Sequence, residues 1–251
     1  MNKKIKEILR KVLLILCIIV FVLSTGKLIY SFYTGYKVKE EGHDLANEVI
    51  KKTDQYDTID KVDVDFDKLQ SRNSDTIAWI QIPNTTINYP IVYRQNDNNT
   101  YLNTNFDGNY SIYGTIFLDG YNKPDFNDRV SFLFGHNVST TLTFGEKTYF
   151  TTLYDYRDKT FLDEHNKVYI NTKNDKYEYT VIGGLHVNEY TPLYKTSFLS
   201  DQEYNDYLDL LCSSLNIDRS MLSTSNKILI LSTCLEAREN TTERMLVFAY
   251  R

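Results

Sequence analysis

A cysteine and an arginine stand ten residues apart near the C-terminus. Cys234 closes the stretch Lys227-Ile-Leu-Ile-Leu-Ser-Thr-Cys234, and Arg244 opens Arg244-Met-Leu-Val-Phe-Ala-Tyr250. Both stretches are short and rich in β-branched and aromatic residues, the pattern of buried strands. If the two strands are neighbours, the loop from Leu235 to Glu243 returns the chain so that thiol and guanidinium share one rim of the sheet. That is a nucleophile beside an anion stabiliser. The competing interpretation is plain: a small buried cysteine and a surface charge.

A cysteine nucleophile needs a proton acceptor, and the chain offers four histidines. His43 lies in a charged stretch and reads as a solvated side chain. His165 sits in a charged turn, Asp163 to Lys167. His186 follows Gly183-Gly184-Leu185 at what reads as a strand end. His136 follows the strong strand Arg129-Val-Ser-Phe-Leu-Phe-Gly135, whose glycine permits a sharp turn. His136 therefore ranks first and His186 second. Besides Cys234 there are Cys17, in an apolar run, and Cys212. A Cys212–Cys234 disulfide stays open on sequence alone.

The elements that must position these groups read mostly as strands. Asp75 to Pro83 and Ile87 to Val92 are two strands around the turn Asn84-Thr-Thr, with Pro90 marking an edge or bulge. Gly114 to Leu118 is a short strand, and Lys167–Asn171 with Lys176–Ile182 form a hairpin. The acidic loop Asp119 to Asp128 only faintly resembles a calcium loop, because its glycine directly follows the first Asp and no Glu closes it. Ser200-Asp-Gln-Glu203 is a capping box opening a helix with Tyr204, Tyr207, Leu208, Leu211 and Leu215 on one face. Cys212 shares that face and reads as a buried helix residue. The sum is a mostly β fold: a closed seven- to eight-stranded barrel with peripheral helices, one of them inserted before the last two strands.

Residues 1–11 carry five basic side chains and one acid. The remaining chain holds 23 basic and 32 acidic side chains, a net −9, which offers no basic face to nucleic acid. Twelve unbroken apolar residues, Val12 to Leu23, follow, and Lys27 is succeeded by Leu28 to Tyr33. With Lys27 snorkelling, residues 12–33 are long enough to span a bilayer. Ser24-Thr25-Gly26 is the alternative, a signal-peptide cut, but no A-x-A pattern is present. The expected organisation is a cytoplasmic basic flank (1–11), a transmembrane anchor (12–33), a juxtamembrane helical spacer (34–65) and an extracellular catalytic domain (66–251). Within the spacer, Glu40 to Lys52 reads as a helix with Leu45, Val49 and Lys52 on one face, which either spaces the domain from the membrane or packs on its side.

Leu231-Ser232-Thr233-Cys234, Arg244 and the upstream Phe134-Gly135-His136-Asn137 together resemble the sortases, membrane-anchored cysteine transpeptidases of Gram-positive bacteria. Trp79-Ile-Gln-Ile-Pro83, Tyr89-Pro-Ile-Val92, Asp97-Asn98 with Tyr101-Leu102, Gly114 to Asp119 and the helical insert resemble class B. The resemblance implies Cys234 as nucleophile toward the carbonyl of a Thr in a C-terminal sorting signal. His136 would serve as general acid and then base, and Arg244 would hold substrate or oxyanion. Arg244 is preferred over Arg238 because the last strand follows it. Asn98, Leu102, Ser232 and Thr233 match positions lining the peptide groove, and Glu236 stands where relatives carry a polar or acidic residue. The implied partners are a sorting-signal peptide of N-P-x-T-x or S/P-P-x-T-G type, a peptidoglycan cross-bridge amine and the membrane. No cofactor and no metal are implied. A hydrolytic cysteine peptidase, or a surface binding domain without catalysis, are the alternatives.

Overall fold

The computed structural model describes residues 3–51, 63–138, 145–234 and 242–251. Its centre is a closed barrel of eight strands, built from the apolar runs that the sequence displays. In chain order, β1 (Ile50–Lys51) and β2 (Asp63–Val64) form a small separate ladder. The barrel strands are β3 (Thr76–Gln81), β4 (Asn88–Val92), β5 (Phe117–Leu118), β6 (Val130–Phe134), β7 (Lys167–Thr172), β8 (Lys176–Asn188), β9 (Ile228–Cys234) and β10 (Glu243–Tyr250). Around the barrel they run β10-β8-β7-β3-β4-β5-β6-β9, with β9 pairing β10 to close it. The β4–β5 and β6–β9 pairs are parallel.

The final two strands explain why their sequences are apolar throughout rather than alternating. On the inner face Leu229, Leu231, Met245, Val247 and Ala249 join the barrel core. On the outer face Ile228, Ile230, Leu246 and Phe248 are covered by the inserted helix α4 (Asp201–Leu215). That helix buries Tyr204, Tyr207, Leu208, Leu211 and Cys212, as its 3.6-residue period requires. Ser200 Oγ caps it by accepting from the Glu203 amide. The Glu203 carboxylate turns instead to the Leu199 amide and Lys195, so only half of the expected capping box forms. Cys212 and Cys234 are both free thiols, which closes the disulfide question.

Two strand boundaries differ from the sequence expectation. β8 continues through Gly183-Gly184 as far as Asn188. The glycines do not end it; a Cβ at Gly184 would stand 2.6 Å from Met245 Cε and 3.2 Å from Tyr156 Cβ, so they admit close neighbours on the sheet. Conversely, only Phe117–Leu118 of the stretch from Gly114 is strand. Gly114 has φ +56° and its missing Cβ would lie 2.2 Å from the Tyr101 carbonyl, a contact incompatible with any side chain.

The N-terminal region is one helix, α1 (Lys3–Val49), apolar enough in its first half to cross a membrane. Its C-terminal half lies on the barrel. Leu45 and Val49 pack with Phe66, Leu69 and the fully buried Trp79, whose indole donates to Asn88 at 2.7 Å. Phe66 and Leu69 belong to α2 (Phe66–Arg72), capped by Asp65. His43 is held by the Glu146 carboxylate at 2.6 Å rather than by solvent alone. Lys52, which the sequence places on the same helix face as Leu45 and Val49, lies outside the described residues.

Candidate active site

Strand register brings the chemistry together. Directly opposed residues of a ladder place their side chains on the same face, with Cα atoms about 4.5–5.5 Å apart. Arg244 is paired with Cys234 across β9–β10, and with Val187 across β10–β8. Phe134 is paired with Ser232 across β6–β9. Alternation then puts Phe134, Ser232, Cys234 and Arg244 on one outer face, and Glu189, two residues beyond Val187, beside them. A cleft of about 410 Å³ opens at this end of the barrel, lined by all five together with Thr233, His136, Leu102 and Asn98. All seven residues singled out in the sequence therefore line one cavity. His186 does not: it sits within β8 opposite Met245, with Nε2 2.5 Å from the Glu243 carboxylate. Glu236 and Arg238 lie outside the described residues.

Each group has an identifiable support. Cys234 is half-buried at the last position of β9, and its carbonyl accepts from Tyr154 Oη at 3.2 Å and Asn137 Nδ2 at 3.4 Å. His136 Nε2 lies 2.8 Å from the Leu102 carbonyl. A carbonyl only accepts, so Nε2 carries the proton and the neutral ring presents Nδ1 as its free lone pair. Burial moves the His136 pKa below the ordinary 6.5, and the Leu102 carbonyl opposes that shift without cancelling it. Leu102 ends a 3₁₀ turn, Thr100–Leu102, started by Asp97, whose carboxylate accepts from the Asn99 and Thr100 amides and Thr100 Oγ1. Gly135 serves less to turn the chain than to let it pass, since a Cβ there would meet Phe150 Cδ2 at 2.7 Å.

Arg244 Nη2 donates to Glu189 Oε2 at 2.5 Å and Nη1 to the Glu243 carbonyl at 3.0 Å. The guanidinium is thus oriented before any substrate arrives. Ser232 Oγ and Tyr194 Oη are 2.6 Å apart. Asn98 donates to Asp119 at 3.1 Å and accepts from the Gly120 amide at 2.7 Å, which locks two cleft loops together. One amide hydrogen of Asn98 remains for other partners. These bonds also account for the acidic loop: Asp119 accepts from Asn98 and the Tyr121 amide, and Asp128 from Asn122 and the Lys123 amide. Among the described residues no cluster of metal-ligating side chains occurs.

Glu189, Tyr190, Tyr194 and Phe117 also line the cleft and carry no site role in the sequence reading, and Phe134, quoted there only as part of the motif around His136, joins them. Glu189 becomes visible only once β8 is extended past its glycines and registered on Arg244.

A barrel carrying thiol, imidazole and guanidinium in one cleft has the groups that a cysteine-dependent acyl transfer requires. The Sortase domain family model matches residues 80–251. Sortase B of Staphylococcus aureus is 31% identical over 186 residues, covering 73% of this chain and 73% of that protein. Sortase B of Listeria monocytogenes is 27% identical over 246 residues, 97% of each. The solved Staphylococcus aureus sortase B–substrate complex superposes with a TM-score of 0.66 at 30% identity, covering 74% of this chain and 83% of the other. The chain belongs to the sortase family, class B. It is accordingly a cysteine transpeptidase with a role in cell-wall anchoring.

Proposed function

We propose that the chain cleaves a C-terminal sorting signal after its Thr and passes the acyl group through a Cys234 thioester to an amine of the peptidoglycan cross-bridge. The observation that carries this is the β9–β10 register, which sets Cys234 opposite Arg244 in a cleft that also contains His136. The Cys234 thiolate attacks the Thr carbonyl. The developing oxyanion is met by the Arg244 guanidinium, already fixed by Glu189. Imidazolium at His136 protonates the departing amine as the tetrahedral species collapses to the thioester. The neutral imidazole then takes a proton from the incoming amine as it displaces Cys234. Burial favours neutral His136, so the thiolate–imidazolium pair is a minor population at neutral pH.

The peptide lies along the apolar cleft wall formed by Leu102, Phe117 and Phe134, with Asn98, Ser232 and Thr233 offering polar contacts. That a Staphylococcus aureus relative is described as a substrate complex supports a peptide in this cleft. The first half of α1 anchors the enzyme, its basic N-terminal flank on the cytoplasmic side and the barrel outside.

The test uses full-length protein in detergent with quenched sorting-signal peptides, with and without triglycine. Wild type, Cys234→Ala, His136→Ala and Arg244→Ala run in parallel. Product carrying triglycine that vanishes in Cys234→Ala supports transpeptidation. Free acid alone in the presence of triglycine indicates a hydrolase. Cleavage that persists in Cys234→Ala refutes the assignment.

A further inference from the structure

We propose that the loop of residues 103–114 is a lipid-contacting surface: the barrel rests on the bilayer headgroups through Tyr110 and Ile112. This rests on the reading of α1 as a membrane anchor.

Twenty helical residues span about 30 Å, the thickness of a hydrocarbon core. Counted from Val12, the first residue of the apolar run, that core ends near Ser31. Tyr30, Tyr33 and Tyr36 follow around this level, each about half or more exposed, which is where tyrosines mark a membrane–water interface. Burial of the helix begins at Gly35 and continues at Val38, Leu45 and Val49. Gly35 and Val38 lie only four and seven residues past Ser31, about 6 and 10 Å along the axis. The barrel therefore meets the helix inside or just beyond the headgroup layer, and no length of chain separates it from the lipid.

The order of contacts shows which part of the barrel is lowest. Val38 packs with Tyr113 and Val138. Further along, Gly42 meets Tyr89, and Leu45 reaches the Trp79 cluster. Tyr113 thus belongs to the membrane-proximal rim. On the same loop, Tyr110 is 77% and Ile112 47% exposed, so a tyrosine ring and a β-branched aliphatic side chain are both open to whatever faces that rim. Facing headgroups, both gain an amphipathic environment. The acids beside the loop are paired, Asp107 with Arg72 and Glu41 with Lys37. The loop is firmly held, with Ser111 N bonded to Asn103 O and Thr115 N to Tyr101 O, so its tip is presented rather than flexed. It also begins directly after Leu102, whose carbonyl holds His136.

The experiment uses full-length protein in phosphatidylglycerol–phosphatidylcholine vesicles whose acyl chains are brominated either near the headgroup or near the chain end. Tryptophan is placed singly by Tyr110→Trp, Ile112→Trp, Leu199→Trp and Phe21→Trp. Trp79 is fully buried and gives a constant background. Leu199 is 98% exposed beside α4, which covers the strands on the other side of the barrel from α1. Expected are loss of emission with shallow bromines at 110 and 112, with deep bromines at 21, and no loss at 199. Quenching at 21 with none at 110 and 112 overturns the loop contact and leaves the anchor standing. No quenching at 21 removes the anchor reading, and the loop proposal with it.

Discussion

Glu189→Gln separates two opposite roles for the carboxylate beside Arg244. If Glu189 merely neutralises the guanidinium, removing its charge strengthens Arg244 toward an oxyanion and raises kcat. If it orients the guanidinium, removal lowers kcat. The structure favours orientation. The Nη2–Oε2 separation is 2.5 Å and the two side chains are 21% and 32% exposed, so solvent screens the pair only in part. An exposed pair contributes about 0–1 kcal/mol and a hydrogen bond to a charged group about 1.5–3 kcal/mol. This geometry sits between them, at about 1–2 kcal/mol of orientation, and a glutamine retains part of it. Complete loss would be a fall of about 5- to 30-fold in kcat/KM, so Glu189→Gln should lie toward the lower end, about 5-fold, carried by kcat because the oxyanion exists only in the transition state. Glu189→Asp restores a carboxylate and recovers part of the loss. The assay is peptide transfer to triglycine at saturating acceptor, normalised to titratable Cys234 thiol, with melting temperature measured alongside. An unchanged or increased kcat per thiol refutes the orientation argument, whereas a lower melting temperature alone reports structure.

Three further outcomes are expected. Folded His136 has a pKa below 6.5 because of burial, so between that value and 6.5 the unfolded chain binds more protons. Stability is fully present above pH 6.5 and falls as pH drops toward the folded value; denaturation of His136→Asn should lose this part of the slope, and an unchanged slope refutes it. Thiol reagent on the full chain in detergent, mapped by peptide mass, should label Cys234 well before Cys212, which is buried and whose thiol pKa is pushed up by that burial; preferential Cys212 labelling contradicts the site. Leu208→Ala beneath α4 removes a fully buried side chain and should cost about 2–5 kcal/mol in denaturant unfolding, while a change under about 0.5 kcal/mol denies the packing role.

The last two strands were legible because both faces of β9 and β10 are buried, which leaves uninterrupted apolar runs. His136 was legible from its place after a strong strand, although Gly135 answers to Phe150 rather than to a turn. The cleft's far wall was not. Glu189 faces Arg244 only through a register that continues past Gly183-Gly184, and paired glycines carry the local signature of a strand end. The seat of α1 on the barrel was legible at Leu45 and Val49, which share a helix face, and hidden where small residues make the contact. Its buried stripe includes Gly35, and at Gly42 a Cβ would stand 2.8 Å from the Tyr89 ring, so small residues mark the contact where an apolar periodicity search expects large ones.

The unbroken course of α1 from Lys3 to Val49 has a kinetic consequence. A globular head on a loose tether sweeps a volume, and its cleft meets partners from any direction. Under the anchor proposed above, a stiff rod seated along its own catalytic head leaves two translations and one rotation in the plane of the lipid sheet. A substrate peptide tethered to the same sheet would then be found by lateral diffusion at nearly fixed height and tilt. On that anchor, much of the orientational search that a freely tumbling enzyme repeats at each encounter would be completed once, at insertion of the helix.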